Sequence, residues 1–496
     1  MKSSSLIVNK IIKICCNIKE KLVESMFWKI FIGLGLYFQK ISDKSMIIKF
    51  LSGDVDTYTN FSKTSLLAKT RLKIDDRIGK FSSSDSKIAE SIKNSIIVKF
   101  LGREILMLLY LILVFSLPFL PTILIAALSV FICAVYLLNV LLGKIKRGKP
   151  SVVGTLTFLF TIVYGLSSLT SFNRNKGVLI AIIIISFIAV SYTMISFIDN
   201  RRKLSAVINT LLVSGFFVSL YGIYQYFTGV QTDTSWVDTN AFETVKTRVF
   251  SFFDNPNVLG EYLIIITSLG VGMFWKEKNK YIKSAYFVSV IVSALCLLMT
   301  SSRGSMIGLI LALCIFVLVS EKRFILLGIM ILFALPLILP DTLAQRLASA
   351  ISMNDTSSLY RKSIYQACFN MFQDYSLTGI GVGAFSLVYP TYALSAAYAF
   401  HAHNIYLQIA LETGILGLIL FLGLIIFSVQ KMYFGARKVD NDYKYLITMI
   451  LGGFAGLLVQ GLVDNIWYDY SMCIMFWLTI ALGISAVKIG RGHEKN

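Results

Sequence analysis

Residues 105–142 read ILMLLYLILVFSLPFLPTILIAALSVFICAVYLLNVLL, 38 positions without a charged side chain. A helix needs about 20 apolar residues to cross a hydrocarbon layer of about 30 Å, so the stretch holds two spans. Pro118 and Pro121 divide it. A proline lacks an N–H and suits the end of a helix better than its centre, and Leu117–Pro121 therefore reads as a tight hairpin between spans near 103–119 and 121–142. Ten more apolar runs follow, near 152–171, 178–198, 204–228, 258–275, 284–300, 305–320, 324–340, 402–429, 446–463 and 470–487. Only helices and closed barrels satisfy the backbone in lipid, and runs of this length are helices. The expected fold is all-α, a polytopic integral membrane protein with about 12 transmembrane helices.

Composition agrees. Of 496 residues 56% are hydrophobic and 15% charged, with a mean hydropathy of +0.72; a soluble domain is about a quarter charged. The formal charge of +20 would suit nucleic acid were it not for its placement. The connectors after even-numbered spans, the C-terminal tail and the N-terminal segment hold 39 of the 47 Lys and Arg. The opposite connectors hold eight: Arg174, Lys176, Lys246, Arg248, Arg303, Arg346, Arg361 and Lys362. This split is a positive-inside signal. It puts both termini in the cytoplasm of a multi-pass cell-membrane protein and needs no nucleic acid. Residues 1–100 form a separate basic segment, cytoplasmic or interfacial, whose apolar stretch Met26–Phe38 is interrupted by Lys29 and too short to span. No apolar stretch with a cleavage site follows the basic first residues, so the spans themselves direct insertion. The seven scattered cysteines make neither a CxxC pair nor a disulfide framework. Residues 101–496 form the membrane domain, with long extracytoplasmic loops at 229–257 and, between spans nine and ten, 341–401. Loops of such length usually carry function.

The candidate chemistry lies on that outer side. The tenth span opens with HAHNIYLQIALETGILG, residues 401–417. On a continuous helix Gly414 and Gly417 fall on the stripe beneath His403, while Glu412 faces away and His401 lies about 160° from His403. Glycines there allow a helix or a lipid chain to approach closely. The loop after the fifth span, which ends in RVFSFFDNPN from Arg248 to Asn257, supplies Asp254 or Asn255 as a helix cap, and Asn257 beyond it. Arg303 sits in the tight turn Ser301-Ser-Arg-Gly304, and Arg361 ends Ser357-Ser-Leu-Tyr-Arg. Asp464 lies just beyond the eleventh span. Guanidinium matches phosphate oxygens well, and arginines gathered with a histidine on a side otherwise poor in cations point to an anionic ligand. The DxD-like pairs Asp54/Asp56 and Asp440/Asp442 are on the cytoplasmic side, so no acidic motif stands ready to hold a metal. The glycine-rich Gly379-Ile-Gly-Val-Gly383 follows no strand and matches no phosphate loop; it reads as a bend.

The ordered series FxNPN (Phe253–Asn257), SSRG (Ser301–Gly304), a loop arginine (Arg361), GxGxG-x-F (Gly379–Phe385) and HxHN-x9-GxxG (His401–Gly417) resembles the O-antigen ligase/polymerase superfamily, the Wzy_C type. The resemblance implies a GT-C-like glycosyltransferase without metal or cofactor. It would move a polyprenyl-diphosphate-linked glycan to an acceptor hydroxyl outside a bacterial cell membrane, in surface polysaccharide synthesis. On that likeness His403 matches the essential histidine, Arg303 and Arg361 match arginines that contact the donor diphosphate, and Arg248 matches a third; Asn404, Gly414, Gly417, Asn255, Asn257 and Asp464 are supporting residues. General chemistry agrees. Arginines stabilise the charge on a departing diphosphate, and a histidine can take the acceptor's proton. Polymerase and ligase both remain open. The alternative is a transporter of an anion or a lipid-linked glycan, which would place its charged groups near the midplane.

Overall fold

The computed structural model describes residues 101–145, 151–230, 248–326, 356–394 and 399–492, together with the isolated positions 69, 70, 73, 74, 76–78, 95, 328 and 330. The rest of the basic segment 1–100 and most of the span expected at 324–340 lie outside the described residues, as do the middle of loop 229–257 and parts of loop 341–401.

Eleven of the expected spans fall on helices, and no strand occurs among the described residues. From residue 101 onward the helices are α1 (Arg103–Ser116), α2 (Thr122–Leu141), α3 (Val152–Leu169), α4 (Arg174–Phe197), α5 (Arg201–Thr228), α6 (Pro256–Lys276), α7 (Lys280–Met299) and α8 (Arg303–Val319). An additional helix, α9 (Thr356–Asp374), lies within the stretch 341–401 that was expected as one long loop. The chain ends with α10 (Ile405–Ala436), α11 (Asn441–Gln460) and α12 (Tyr470–Gly492). Nine of the described helices are long and apolar enough to cross a membrane; α8, at 17 residues, is apolar but shorter, and α1 has 14.

The helix ends follow from local chemistry. The α1–α2 hairpin closes where Phe119 and Leu120 donate to the Ser116 carbonyl, 2.9 and 3.0 Å. Asn200 caps α5 by accepting from Lys203 N–H at 3.0 Å. Of the two residues offered as the cap of α6, the structure uses Asn255, which accepts from Asn257 N–H at 2.8 Å with Pro256 in the first turn.

Two seams organise the interior. Gly304, Gly308 and Ala312 on α8 repeat every four residues and face Gln460, Gly456 and Gly452 on α11. A Cβ at Gly308 would stand 2.8 Å from the Gly456 carbonyl, so the backbones meet over a small-residue seam of the kind that drives helix packing in lipid. The glycine of SSRG thereby gains a structural meaning. The second seam is aromatic: Phe160 of α3, Phe421 of α10, Trp467, and Phe476 and Trp477 of α12 pack with ring centroids 5.4–6.2 Å apart.

The two ends of the bundle differ in charge. At one end Arg103 and Lys203 pair with Asp199, Lys278 pairs with Asp442, and Arg201 and Lys276 lie over the Tyr443 ring. Lys283 and Arg323 flank Trp275 there as well. The opposite end gathers the turns that hold the candidate site.

Candidate active site

The frame of the site starts from a break in α10. At Gly414 the backbone takes φ 69° and ψ −172°, which interrupts the helical ladder and leaves carbonyls to be satisfied elsewhere. The Gly379–Gly383 run supplies the donors. Ile380 N–H reaches the Leu411 carbonyl at 2.7 Å, Gly381 N–H reaches Glu412 at 3.1 Å, and Ile415 N–H returns to Ser376 at 2.8 Å. Gly379, Gly381 and Gly383 all have positive φ, and a Cβ at Gly379 would stand 2.7 Å from the Gly414 nitrogen. The bend expected here is therefore a brace. Buried Glu412 accepts from Gly383 N–H at 3.1 Å and from Gln408 Nε2 at 3.0 Å, while Gln408 Oε1 accepts from Ala402 N–H at 2.9 Å. The brace thus ties directly to the histidine turn.

This corrects the picture of an open glycine stripe beneath His403. The helix begins at Ile405, so His403 is not on it. Gly414 abuts the Leu377 backbone, and Gly417 abuts the Thr413 side chain. Neither leaves room for a lipid chain. Both are demanded by packing.

His403 itself has φ 46°, a left-handed conformation that costs a non-glycine residue roughly 1–2 kcal/mol. Neighbours hold it there. The Tyr365 hydroxyl of α9 lies 2.8 Å from the His403 carbonyl and 2.9 Å from that of Leu462 and donates its proton between them. Asn404 caps α10 by accepting from Leu407 N–H at 3.0 Å and also donates to the Leu462 carbonyl at 3.0 Å. Ile405 N–H donates to the Gly461 carbonyl at 2.9 Å. The turn is so docked on the end of α11.

His401 joins the site, contrary to its expected place on the far side of a helix. In a turn, residues two apart can share a side, and the His401 and His403 rings lie 4.0 Å apart. His401 Nδ1 accepts from His403 N–H at 3.2 Å, which leaves the His401 proton on Nε2. Tyr468 packs on His401 at 4.2 Å, and Tyr360 meets His403 edge-on at 6.1 Å. Burial first, then its neighbour His403, push the His401 imidazole down to about 3 against the pull of Asp464. It is neutral at physiological pH.

Asp464 is the charged partner. Its Oδ1 stands 3.6 Å from His403 Nδ1, with the side chains 12% and 19% exposed. Its Oδ2 accepts from Asn257 Nδ2 at 3.4 Å, and Asn257 Oδ1 accepts from Arg248 at 2.9 Å. Arg248 is buried and also donates to the Thr300 carbonyl at 3.0 Å. Burial by itself pushes the Asp464 carboxyl up. The facing His403 and the Arg361 guanidinium outweigh burial and hold it well below the usual carboxylate range. His403 Nε2 makes no hydrogen bond to any described residue.

The structure thus brings together His403, Asp464, Asn257, Arg248, Asn404 and Arg361, the last acting on Asp464 by its charge. Asn255 serves them as the cap of α6. Arg303 opens α8 at the same end of the bundle, next to the Gly304–Gln460 contact. Sequence reasoning missed His401, Tyr365 and Tyr468 as members. The His-x-His spacing was the available signal for the first, had the segment been taken as a turn. His401, His403 and Asp464 each present a ligand atom within 4.8 Å of the others. Two imidazoles and a carboxylate of this kind can hold a divalent transition-metal ion.

The family model Wzy_C, described as O-antigen ligase, matches residues 288–422. That stretch includes the SSRG turn, Arg361, the glycine brace and the histidine turn through Gly417, and the match bears out the resemblance carried by these motifs. The family is one of membrane enzymes that ligate or polymerise glycans in bacterial polysaccharide biosynthesis, with lipid-linked glycans and their acceptors as substrates. The search of curated proteins finds no match to the chain.

Proposed function

We propose that this protein transfers or polymerises a polyprenyl-diphosphate-linked oligosaccharide onto an acceptor hydroxyl at the extracytoplasmic face of the bacterial cell membrane. The single observation that carries this reading is the His403–Asp464 pair: Nδ1 faces a buried carboxylate, and Nε2 makes no hydrogen bond among the described residues. In the proposed reaction His403 Nε2 takes the proton of the acceptor hydroxyl as its oxygen bonds to the anomeric carbon. The bond from that carbon to the diphosphate breaks, and the leaving diphosphate keeps the electron pair. Arg303 and Arg361 stabilise its charge. Asp464 holds the ring and stabilises the imidazolium, as the carboxylate does in a catalytic triad. Arg248, whose guanidinium is engaged by Asn257 and Thr300, serves the site by fixing Asn257 against Asp464. No step needs a metal.

The reading extends to a GT-C-like architecture of twelve spans with both termini cytoplasmic, supported by the 39-to-8 division of basic residues. Transport is the lesser reading, because the histidine and the aspartate sit in turns at a bundle end, with Arg303 at the start of α8 there and Arg361 of α9 beside Asp464.

The test is transfer in vitro with lipid-linked glycan extracted from cells depleted of the protein. His403→Ala is expected to abolish product formation while the variant still accumulates in the membrane and binds the donor. Near-normal turnover of His403→Ala refutes the assignment, and loss of wild-type turnover on adding a chelator refutes the metal-free route.

A further inference from the structure

Three aromatic rings stand around the histidine turn without belonging to the core. Tyr468 is 56% exposed and Phe400 60%, and Tyr360, at 37%, borders His403. Tyr468 is the informative one. It ends the short helical turn Ile466–Tyr468 between α11 and α12, four residues beyond Asp464. One part of its ring packs on His401 at 4.2 Å, tilted by 37°. The remainder is open, and its hydroxyl makes no hydrogen bond to any described residue. The side-chain neighbours in the turn are treated differently: Ile466 and Trp467 are buried.

His403 constrains what can lie there. Its Nδ1 is directed at Asp464, so an acceptor hydroxyl has only Nε2 to approach. Two partly exposed rings lie within reach of a group held at the imidazole: Tyr468, which packs on His401, itself 4.0 Å from His403, and Tyr360, edge-on to His403 at 6.1 Å and 69°. An aromatic face is electron-rich and apolar, whereas a phosphate or carboxylate would call for cations, which here lie on Arg361 and Arg303 instead. A pyranose presents a face of C–H bonds and an edge of hydroxyls. Tyrosine, with an apolar body and a polar tip, suits both.

We infer that Tyr468, with Tyr360, forms a stacking platform for the terminal sugar ring of a saccharide acceptor. The inference rests on the reading of His403 as the group that receives the acceptor's proton, and it narrows the acceptor of that reaction to a glycan end. The bland alternative gives Tyr468 only an interfacial anchoring role, as tyrosines often have at membrane borders.

The experiment reads binding and not transfer, so it stands apart from the test of His403. The protein in nanodiscs is mixed with the methyl glycosides of glucose, galactose, mannose and N-acetylglucosamine. Saturation-transfer NMR then records which sugar protons receive magnetisation. At least one glycoside is expected to show signal concentrated on the C–H protons of one ring face. Tyr468→Ala lowers that signal roughly five-fold, the affinity that a single ring stack supplies, and Tyr468→Phe or Tyr468→Trp retains most of it. Tyr468→Phe serves as the folding control if the alanine variant elutes abnormally. Equal signals in wild type and Tyr468→Ala, or no signal from any glycoside, overturn the platform. A positive result with an active His403→Ala variant would leave the platform standing and remove the base.

Discussion

Replacing Asp464 with Asn removes one charge and almost no volume, and the site makes the consequence calculable. Two unit charges 3.6 Å apart interact by about 1 kcal/mol in water and by roughly 4–5 kcal/mol at the effective dielectric of about 20 that suits protein sites. With both side chains less than one-fifth exposed, the upper part of that range applies to the imidazolium formed in the transition state. The expected loss is about 10³-fold or more in kcat. A second effect acts the same way. With its oxygen at the Oδ2 position the asparagine still accepts from Asn257, and its amide nitrogen takes the place of Oδ1, giving up the bond from Asn465 N–H. Its amide N–H then faces His403 Nδ1 and favours the tautomer with the proton on Nε2, where the acceptor's proton should go. Single-turnover transfer at saturating lipid-linked glycan separates this from binding: kcat falls and the KM for donor stays within a factor of about two. A variant with kcat near wild type refutes the pairing as catalytic, however close the two side chains stand.

The arginines are tested by shape. Arg303→Lys and Arg361→Lys keep the charge and lose the planar fork, and transfer is expected to fall about ten-fold or more in each while the protein still accumulates; full activity in both would leave only general electrostatic attraction. His401 gives a stability test. Its imidazole is pushed down to about 3 in the folded protein against about 6.5 in an unfolded chain, so the unfolded state binds the extra proton between those values. The contribution is complete above about pH 6.5 and declines as pH falls, by at most about 1.4 kcal/mol per unit. Thermal midpoints in detergent should drop between pH 7 and 5 for wild type and less steeply for His401→Asn; identical slopes would show that His401 does not carry the effect. For orientation, a cysteine placed at Ser357 should react with an impermeant maleimide on intact cells and one at Asn279 should not. The reverse pattern would invert the topology and put the site on the wrong side.

The fold was legible where lipid imposes length and polarity on the chain, because the apolar runs and their basic connectors leave few alternatives. The span near 204–228 illustrates it: helix α5, Arg201–Thr228, is bounded by the Asn200 cap and by Gly229 at φ 68°, both visible as residue types. The histidine turn was less legible. Asn404 is a strong capping residue, and taking it as the cap would have placed His401 and His403 in a turn before the helix. The wheel instead ran through them, and that separated two rings that lie 4.0 Å apart. Helix α9 escaped notice because its sequence, from Thr356 to Asp374, is polar overall, and its burial of Ile364, Cys368 and Met371 serves a small separate core. Asp464 could be placed near the outer end of a span, but no sequence spacing states that residues 403 and 464 meet. That is a property of how α10 and α11 pack.

The packing brings contacts from several of these motifs to the same level of the bundle. Gly304 of SSRG lets α8 approach Gln460 on α11, and Gln460 lies one helical turn before Asp464. Asn257 stands one turn before Glu261 on α6, and the two contact Asp464 and Gln460 respectively, at 3.4 and 3.3 Å. The paired steps fix α6, α8 and α11 in register at the height where Asp464 meets His403. From the other side the glycine brace reaches the histidine turn through Glu412 and Gln408. A shift of one turn along either seam would leave Asp464 opposite another residue and His403 without its carboxylate. The motifs are therefore separated in sequence because they belong to different helices, and act together because one register places their ends around a single imidazole.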